Sequence, residues 1–161
     1  MDDVKAVRHI LANNATLTAQ VPAARIIVGV LPQATAPPAI AVTHVSTVRP
    51  QMVAAPSRMC VSRVQVTVMA SSYTTQKSIM ALVRAALPRS RGTFNGVGVD
   101  SIIPDAEGPD FTDEAGVYMG SIDYRVTYNE YAKTKQATAR RVRAFLRPVP
   151  RKGKPARGDS R

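Results

Sequence analysis

Hydrophobic and polar residues alternate most regularly in two stretches of the sequence. In RMCVSRVQVTVMA, one side of an extended chain carries Cys60, Val64, Val66 and Val68. The same period of two recurs in VYMGSIDYRVTYNE. Its apolar set is Tyr118, Ile122, Tyr124, Val126 and Tyr128, and its polar set is Ser121, Asp123, Arg125 and Thr127. Both stretches therefore predict long strands with one face toward a core.

Two other stretches follow the helical period. Residues 3–13 place Val4, Val7, Ile10 and Leu11 on one side, and acidic residues lie near the start, where the helix dipole favours them. SSYTTQKSIMALVRAALP carries an apolar stripe and begins with Ser72 or Thr74 as an N-cap. The stripe consists of Ile79, Leu82, Val83, Ala86 and Leu87. Two amphipathic helices are predicted, and each needs a sheet to cover its apolar side.

The remaining segments predict further strands and turns. IIVGV and AIAVTHV read as neighbouring strands joined by a proline loop. TFNGVGVDSII reads as a strand weakened by Gly96 and Gly98, which would make it either a bent strand or a hairpin. Residues 104–116 read as an acidic turn region. The order of these elements predicts an α+β fold, with a mainly antiparallel sheet and two helices packed on one face.

Charge divides the chain into two parts. Residues 1–131 contain 11 Lys and Arg against 10 Asp and Glu, whereas residues 132–161 contain 11 against 1. The first part is predicted to be one folded domain. The second part, which we call the arm, is a basic C-terminal extension that we expect to be disordered alone and to become ordered on a partner.

One stretch of the arm, ATARRVRAFLR, has helical spacing. Its apolar residues are Val142, Phe145 and Leu146, and its arginines are Arg140, Arg141, Arg143 and Arg147. We predict a short helix that lays its apolar side on a neighbouring protein while its arginines pair with acidic residues there. These seven residues are candidate partner-binding residues.

Six acidic residues and no basic ones occur between positions 100 and 114. They are Asp100, Asp105, Glu107, Asp110, Asp113 and Glu114. Their spacing does not match an EF-hand loop, so calcium binding is not predicted. Two interpretations stay open: a solvated loop, or a docking surface for a basic partner, which includes the arm of an adjacent subunit. For the second, the candidate residues are Asp105, Glu107 and Asp110.

Catalytic and metal-binding patterns are missing from the sequence. His9 and His44 are the only histidines and Cys60 is the only cysteine, so no metal-ligand spacing or catalytic triad can be assembled from them. The uncharged stretch from 26 to 48 is interrupted by prolines, and no secretion signal is expected at the N-terminus. We therefore expect neither an enzyme nor a cofactor, a metal or a membrane span.

The succession of these segments resembles a known family. LTAQV, RIIVGVLPQATAPPAIAVTHVST, RVQVTVMASSY with TTQKSIMALVRAAL, and DEAGVYMGSIDYRVTYNE are similar in order and spacing to the tail-completion, or tail-terminator, proteins of long-tailed bacteriophages and related prophage elements. The resemblance covers roughly residues 4–130.

This resemblance implies a structural virion protein assembled in the bacterial host cytoplasm. It implies a ring, expected to be a hexamer, in the neck at the head-proximal end of the tail. Its partners would be other copies of itself, the tail tube protein and the head-tail connector or stopper protein, with DNA passing through the lumen without sequence recognition. The alternative hypothesis is a nucleic-acid-binding protein that acts through its basic arm by counterion release.

Overall fold

The computed structural model describes residues 2–32, 35–50, 59–87 and 89–129. Three α-helices are present among them, namely α1 (Asp2–Ala12), α2 (Ala15–Thr18) and α3 (Tyr73–Ala86). The strands are β1 (Ile26–Val28), β2 (Ala39–Val48), β3 (Met59–Ala70), β4 (Gly92–Phe94), β5 (Val97–Glu107), β6 (Phe111–Thr112) and β7 (Tyr118–Asn129). The predicted α+β class is confirmed, and the arm lies outside the described residues.

All the strands belong to one sheet, in the order β1-β2-β3-β7-β5-β4, and β6 also pairs with β7. The long strands β3 and β7, predicted from their period of two, lie side by side in the middle and pair along their full length from Met59↔Asn129 to Ala70↔Tyr118. Every pairing is antiparallel except β1 with β2, which run parallel. The predicted mainly antiparallel sheet is confirmed.

The helices begin where side chains satisfy free backbone amides. The hydroxyl of Ser72 accepts a hydrogen bond from the amide of Thr75 at 3.2 Å, which makes Ser72 the N-cap of α3. The side chain of Asn14 accepts from the amide of Leu17 at 3.0 Å and caps α2. The sequence predicted two helices, and α2 was not among them. It was missed because four residues are too few to show a helical period.

The core lies between the helices and one face of the sheet. Helix α1 contacts strands β1 to β5, and α3 contacts β3 and β7. Most residues predicted to form the core are buried, as are the side chains that α1 contributes. Those buried are Val4, Val7, Leu11, Cys60, Val64, Val66, Val68, Ile79, Val83, Ile122, Tyr124 and Val126. Leu82, also predicted as core, is only partly buried at the margin.

One prediction about connections is wrong in part, and the predicted adjacency of β1 and β2 is confirmed. The turn region predicted at 104–116 is wrong in part, because β5 continues through Glu107 and residues 111–112 form β6. β1 and β2 are neighbours as predicted, but their ten-residue connection returns the chain to the same end of the sheet, so they run parallel. Of the two alternatives at 92–98, the structure has the hairpin: Asn95 and Gly96 have positive φ values of 48° and 76°, as a two-residue turn requires.

Candidate assembly surface

The sheet face opposite the helices has a polar centre on β3 and β7, and no described helix covers it; we call it the open sheet face. Along β3 and β7, successive side chains alternate between this face and the core face. Cross-strand partners on this face are Arg63 with Arg125, Gln65 with Asp123, and Thr67 with Ser121. This is the polar set predicted from the period of two, and its position on one face is confirmed.

Positive and negative residues alternate on the open sheet face and form ion pairs. Arg63 and Arg125 lie directly opposite each other, which would be unfavourable for two like charges alone. Each arginine instead contacts a carboxylate. Arg63 donates to Asp123, with its Nε at 2.9 Å, and Arg125 donates to Asp105 at 2.6 Å. The hydrogen bond that Arg63 donates to Asp123 raises the pKa of the Arg63 guanidinium above its usual value.

The burial of Asp123 is a feature that the sequence pattern did not predict. This side chain was expected to be solvated, yet the residue is only 5% exposed. It sits in the central strand β7, where its neighbours on both sides reduce its contact with water. A buried carboxylate left without a partner is strongly destabilising, so Asp123 depends on its pairing with Arg63 on this face.

The three acids predicted as partner-binding residues are each paired within the same chain. Asp105 contacts Arg125, Glu107 contacts Arg84 of α3, and Asp110 lies 2.6 Å from the Lys77 ammonium. The basic partners were invisible in the local sequence because all of them come from other elements. Docking of a basic partner to these acids stays a prediction, and such a partner would have to share their carboxylates.

A small pocket lies where the start of α3 meets β6 and β7; we call it the corner pocket. Its volume is about 130 Å³, and its lining consists of Tyr73, Gln76, Asp110, Phe111, Thr112, Tyr118 and Met119. The rings of Tyr73 and Tyr118 meet edge to face with centroids 6.2 Å apart. Sequence reasoning had singled out only Asp110 here as a partner-binding residue, because the other residues are far apart in the chain.

Asp110 is the acidic residue in the lining of the corner pocket. Its carboxylate accepts from the Gln76 amide at 2.8 Å and contacts Lys77, which also lies 5.4 Å from the Tyr73 ring centroid. The hydrogen bond from Lys77, followed by that from Gln76, lowers the pKa of Asp110 below its usual value. The carboxylate therefore stays ionised in mildly acidic solution.

Gly120 of β7 makes room for this arrangement. A Cβ atom there would lie 2.0 Å from Gln76 Nε2, 2.7 Å from the Met80 sulfur and 3.0 Å from Asp110 Oδ1. We expect Gly120→Ala to lower the free energy of unfolding by about 2–3 kcal/mol, because it forces the Gln76 amide out of place and breaks its bond to Asp110. Denaturant unfolding would measure this.

A double-mutant cycle separates the clash from other effects of the new methyl group. Gln76→Ala removes the amide but leaves the Met80 sulfur in place, so the same Gly120→Ala change should cost less in that background and still keep the part that comes from Met80. Equal costs in the two backgrounds would contradict the proposed clash.

Tyr124 gives the core a measurable pH response. The residue is fully buried, and its hydroxyl has no hydrogen-bond partner among the described residues. Burial raises the pKa of Tyr124 to about 12, because the charged phenolate is poorly solvated there. The neutral form is thus favoured in the folded state, so stability is full below pH 10 and falls as the pH rises toward 12.

We expect Tyr124→Phe to remove this response. Between pH 10 and 12, the unfolding free energy of the original protein should fall by roughly 2 kcal/mol more than that of the variant. At neutral pH the variant should be at least as stable, since it no longer buries an unpaired hydroxyl. Parallel slopes for the two proteins above pH 10 would show that Tyr124 is not the group responsible.

The partner-binding residues predicted in the arm, from Arg140 to Arg147, lie outside the described residues. Within the described part of the chain, no three His, Cys, Asp or Glu side chains come close enough together to hold a metal ion. None of the helices described here has the length and apolar character needed to cross a bilayer. The described residues offer paired charges, exposed rings and an open sheet face for contacts with other molecules.

Comparisons with known proteins agree with this architecture. The family model described as Tail completion protein gp17 matches residues 5–129, more than three quarters of the chain. A solved structure described as the virion of a native gene transfer agent (GTA) particle contains a chain with a similar fold. The TM-score is 0.66 at 16% identity, and the match covers 78% of this chain and 93% of that chain. No curated protein matches the sequence. The chain belongs to the tail completion protein family, as its resemblance to that family indicated.

Proposed function

We propose that this chain forms a ring of six subunits at the head-proximal end of the tail tube, where it ends tube polymerisation and joins the tail to the head. Membership in the tail completion family, which makes the chain a structural tail protein of a phage-like particle, is the observation that carries this proposal. A part with this task needs surfaces for its neighbours and no catalytic residues. The partners we propose are other copies of the chain, the tail tube protein and the connector or stopper protein.

The sheet edges indicate how subunits would meet. β4 covers only Val97–Val99, so the rest of β5 has a free edge among the described residues. That edge contains Pro104 and register shifts near Asp100 and Asp105, all of which oppose the addition of another strand. We infer that ring contacts at this edge use side chains rather than a continuous sheet. Contacts of this kind are heterologous, and a closed ring uses all of them.

The charge distribution fits a ring through which DNA passes. Residues 1–131 have 11 basic and 10 acidic side chains, and both arginines named on the open sheet face are paired with carboxylates. A lumen built from such domains would present little net positive charge, so it would not hold phosphate groups. We also propose that the chain resides in the neck of the virion and that it is assembled in the host cytoplasm.

Electron microscopy of particles made with and without this chain tests the proposal. We expect six copies in a ring at the junction of tail and head. Without the chain, we expect tubes of irregular length and unattached heads. A single copy at the junction, or tails of normal length joined to heads in its absence, would overturn the proposal.

A further inference from the structure

Seven large apolar side chains of the described residues are exposed, and they fall into two groups at opposite edges of the sheet. Four of them lie on or next to β1 and β2, whereas the other three belong to β5, β6 and the start of α3. The first group, which we call the valine edge, consists of Val28, Val30, Val45 and Val48. The second group, which we call the aromatic edge, consists of Tyr73, Ile103 and Phe111. Grouped apolar side chains of this kind indicate contact surfaces.

The valine edge also has a poorly protected backbone. β1 pairs with β2 only from Ile40 to Val42, and no described strand pairs with β2 from Thr43 to Val48 on that side. Edge strands of soluble proteins are usually protected by charged residues, proline or a bulge. β2 has a register shift near Val45, but it contains no Asp, Glu, Lys, Arg or Pro. This edge is therefore suited to being covered by another molecule.

The aromatic edge can be covered without the burial of an unpaired carboxylate. Phe111 is 52% exposed and Tyr73 is 50% exposed. Asp110, which lines the corner pocket beside these rings, is paired with Lys77 at 2.6 Å. Desolvation of a lone charge would oppose association, and the pairing of Asp110 avoids it. The aromatic edge thus matches the uncharged valine edge in character.

We propose that the valine edge of one subunit packs against the aromatic edge of the next copy of the same chain. A closed ring needs two different surfaces on every subunit, one for each neighbour. The described residues offer two apolar surfaces at opposite edges of one sheet, as a head-to-tail contact requires. A second copy accounts for both groups at once, whereas a different partner on one edge would leave the other unexplained. The inference rests on the proposed ring, whose subunit contact it names.

The strand register shows how adjacent copies must be placed. Phe111 lies opposite Met119 at the start of β7, whereas Val45 lies level with Tyr124 and Arg125 near its middle. The contact therefore offsets adjacent copies along the strands by roughly 17 Å. Strands that meet with such an offset close into a ring only when they are tilted relative to its axis. We expect tilted strands in the assembled ring.

Cysteine crosslinking in assembled particles tests this contact. Ser46→Cys and Thr112→Cys in one chain place a thiol beside each edge and keep every side chain of the two groups. Both positions are exposed, and the native Cys60 is buried. With a short bis-maleimide reagent we expect a ladder of covalent oligomers that extends beyond dimers, because each subunit is linked to two neighbours. The two single variants are matched controls and should remain monomeric on a denaturing gel.

Each other crosslinking pattern overturns the proposed contact. Dimers formed by either single variant would mean that this edge meets the same edge of another copy. Links to a different virion protein would assign the edge to that protein. Particles that contain the double variant but give no links would exclude the contact.

A substitution at the valine edge tests its apolar character. Val45 is 46% exposed, so Val45→Lys should leave the domain folded while it puts a charge into the contact. We expect the amount of crosslinked chain in particles to fall at least about tenfold. Ala85→Lys adds the same charge at an exposed position of α3 and should leave that amount unchanged. A ladder that is insensitive to Val45→Lys would overturn the contact.

Failure of this contact can be distinguished from failure of the proposed function. Six copies seen at the junction by electron microscopy, together with no links between the two edges, would refute only the contact. A ladder that closes at another number would refute the count of six and keep the contact.

Discussion

Val66→Asp should lower the free energy of unfolding by about 4 kcal/mol, because it places an unpaired charge in the centre of the core. Val66 is fully buried, and its partners on the neighbouring strands are Val42 and Ile122, which are buried as well. A loss of this size is a large part of the ~5–15 kcal/mol that stabilises a typical domain. Thermal and denaturant unfolding of the purified variant would measure it.

The adjacent residue is a matched control for this change. Thr67 lies on the same strand, but its side chain is on the open sheet face and is partly exposed. Thr67→Asp adds the same charge to the same strand and should cost no more than about 1 kcal/mol. Comparable losses at both positions would mean that the assignment of β3 side chains to two different faces is wrong.

The parts of the fold that the sequence predicted best are those in which one side faces a core. In β3, β7 and α3, burial on one side imposes a period of two or 3.6 on the sequence, and that period is visible without any knowledge of neighbours. The structure confirms the face assignment of Val66 and Ile122 for this reason. Leu82 is the exception, since it lies at the margin of the helix stripe.

The acidic region shows why other parts were not predictable. Acidic residues and Pro104 suggest a turn when the segment is considered alone. In the folded chain Pro104 lies opposite Tyr124 and Glu107 lies opposite Ile122, so pairing with the long central strand β7 overrides the local preference. Strand propensity depends on the neighbour, and the neighbour is distant in sequence.

The candidate surfaces, too, could be predicted only in part. The polar face of β7 could be predicted from alternation, but not the burial of Asp123 or its pairing with Arg63, which depends on strand register. The corner pocket joins Tyr73 to Phe111 and Tyr118, and only the folded chain brings these rings together. Long-range contacts leave no periodic trace, so a single sequence does not reveal them.

Deleting residues 132–161 should abolish or strongly reduce head-to-tail joining while leaving the domain folded. The buried core is built from residues between Val4 and Tyr128, so we expect the domain to fold without this segment. We expect the arm to become ordered on a neighbouring protein, with the cost of ordering met by contacts made there. Joining is measured by mixing finished heads and tails with each variant, and circular dichroism checks the fold.

A single substitution distinguishes two accounts of the arm. If Val142, Phe145 and Leu146 lie against a protein, Phe145→Ala should reduce joining although the charge of the arm is unchanged. If the arm instead binds the passing DNA, affinity should fall steeply with salt and depend little on Phe145. Full joining by the truncated protein would show that the arm is dispensable. Joining that depends on salt and not on Phe145 would show that the arm contacts DNA instead of a protein.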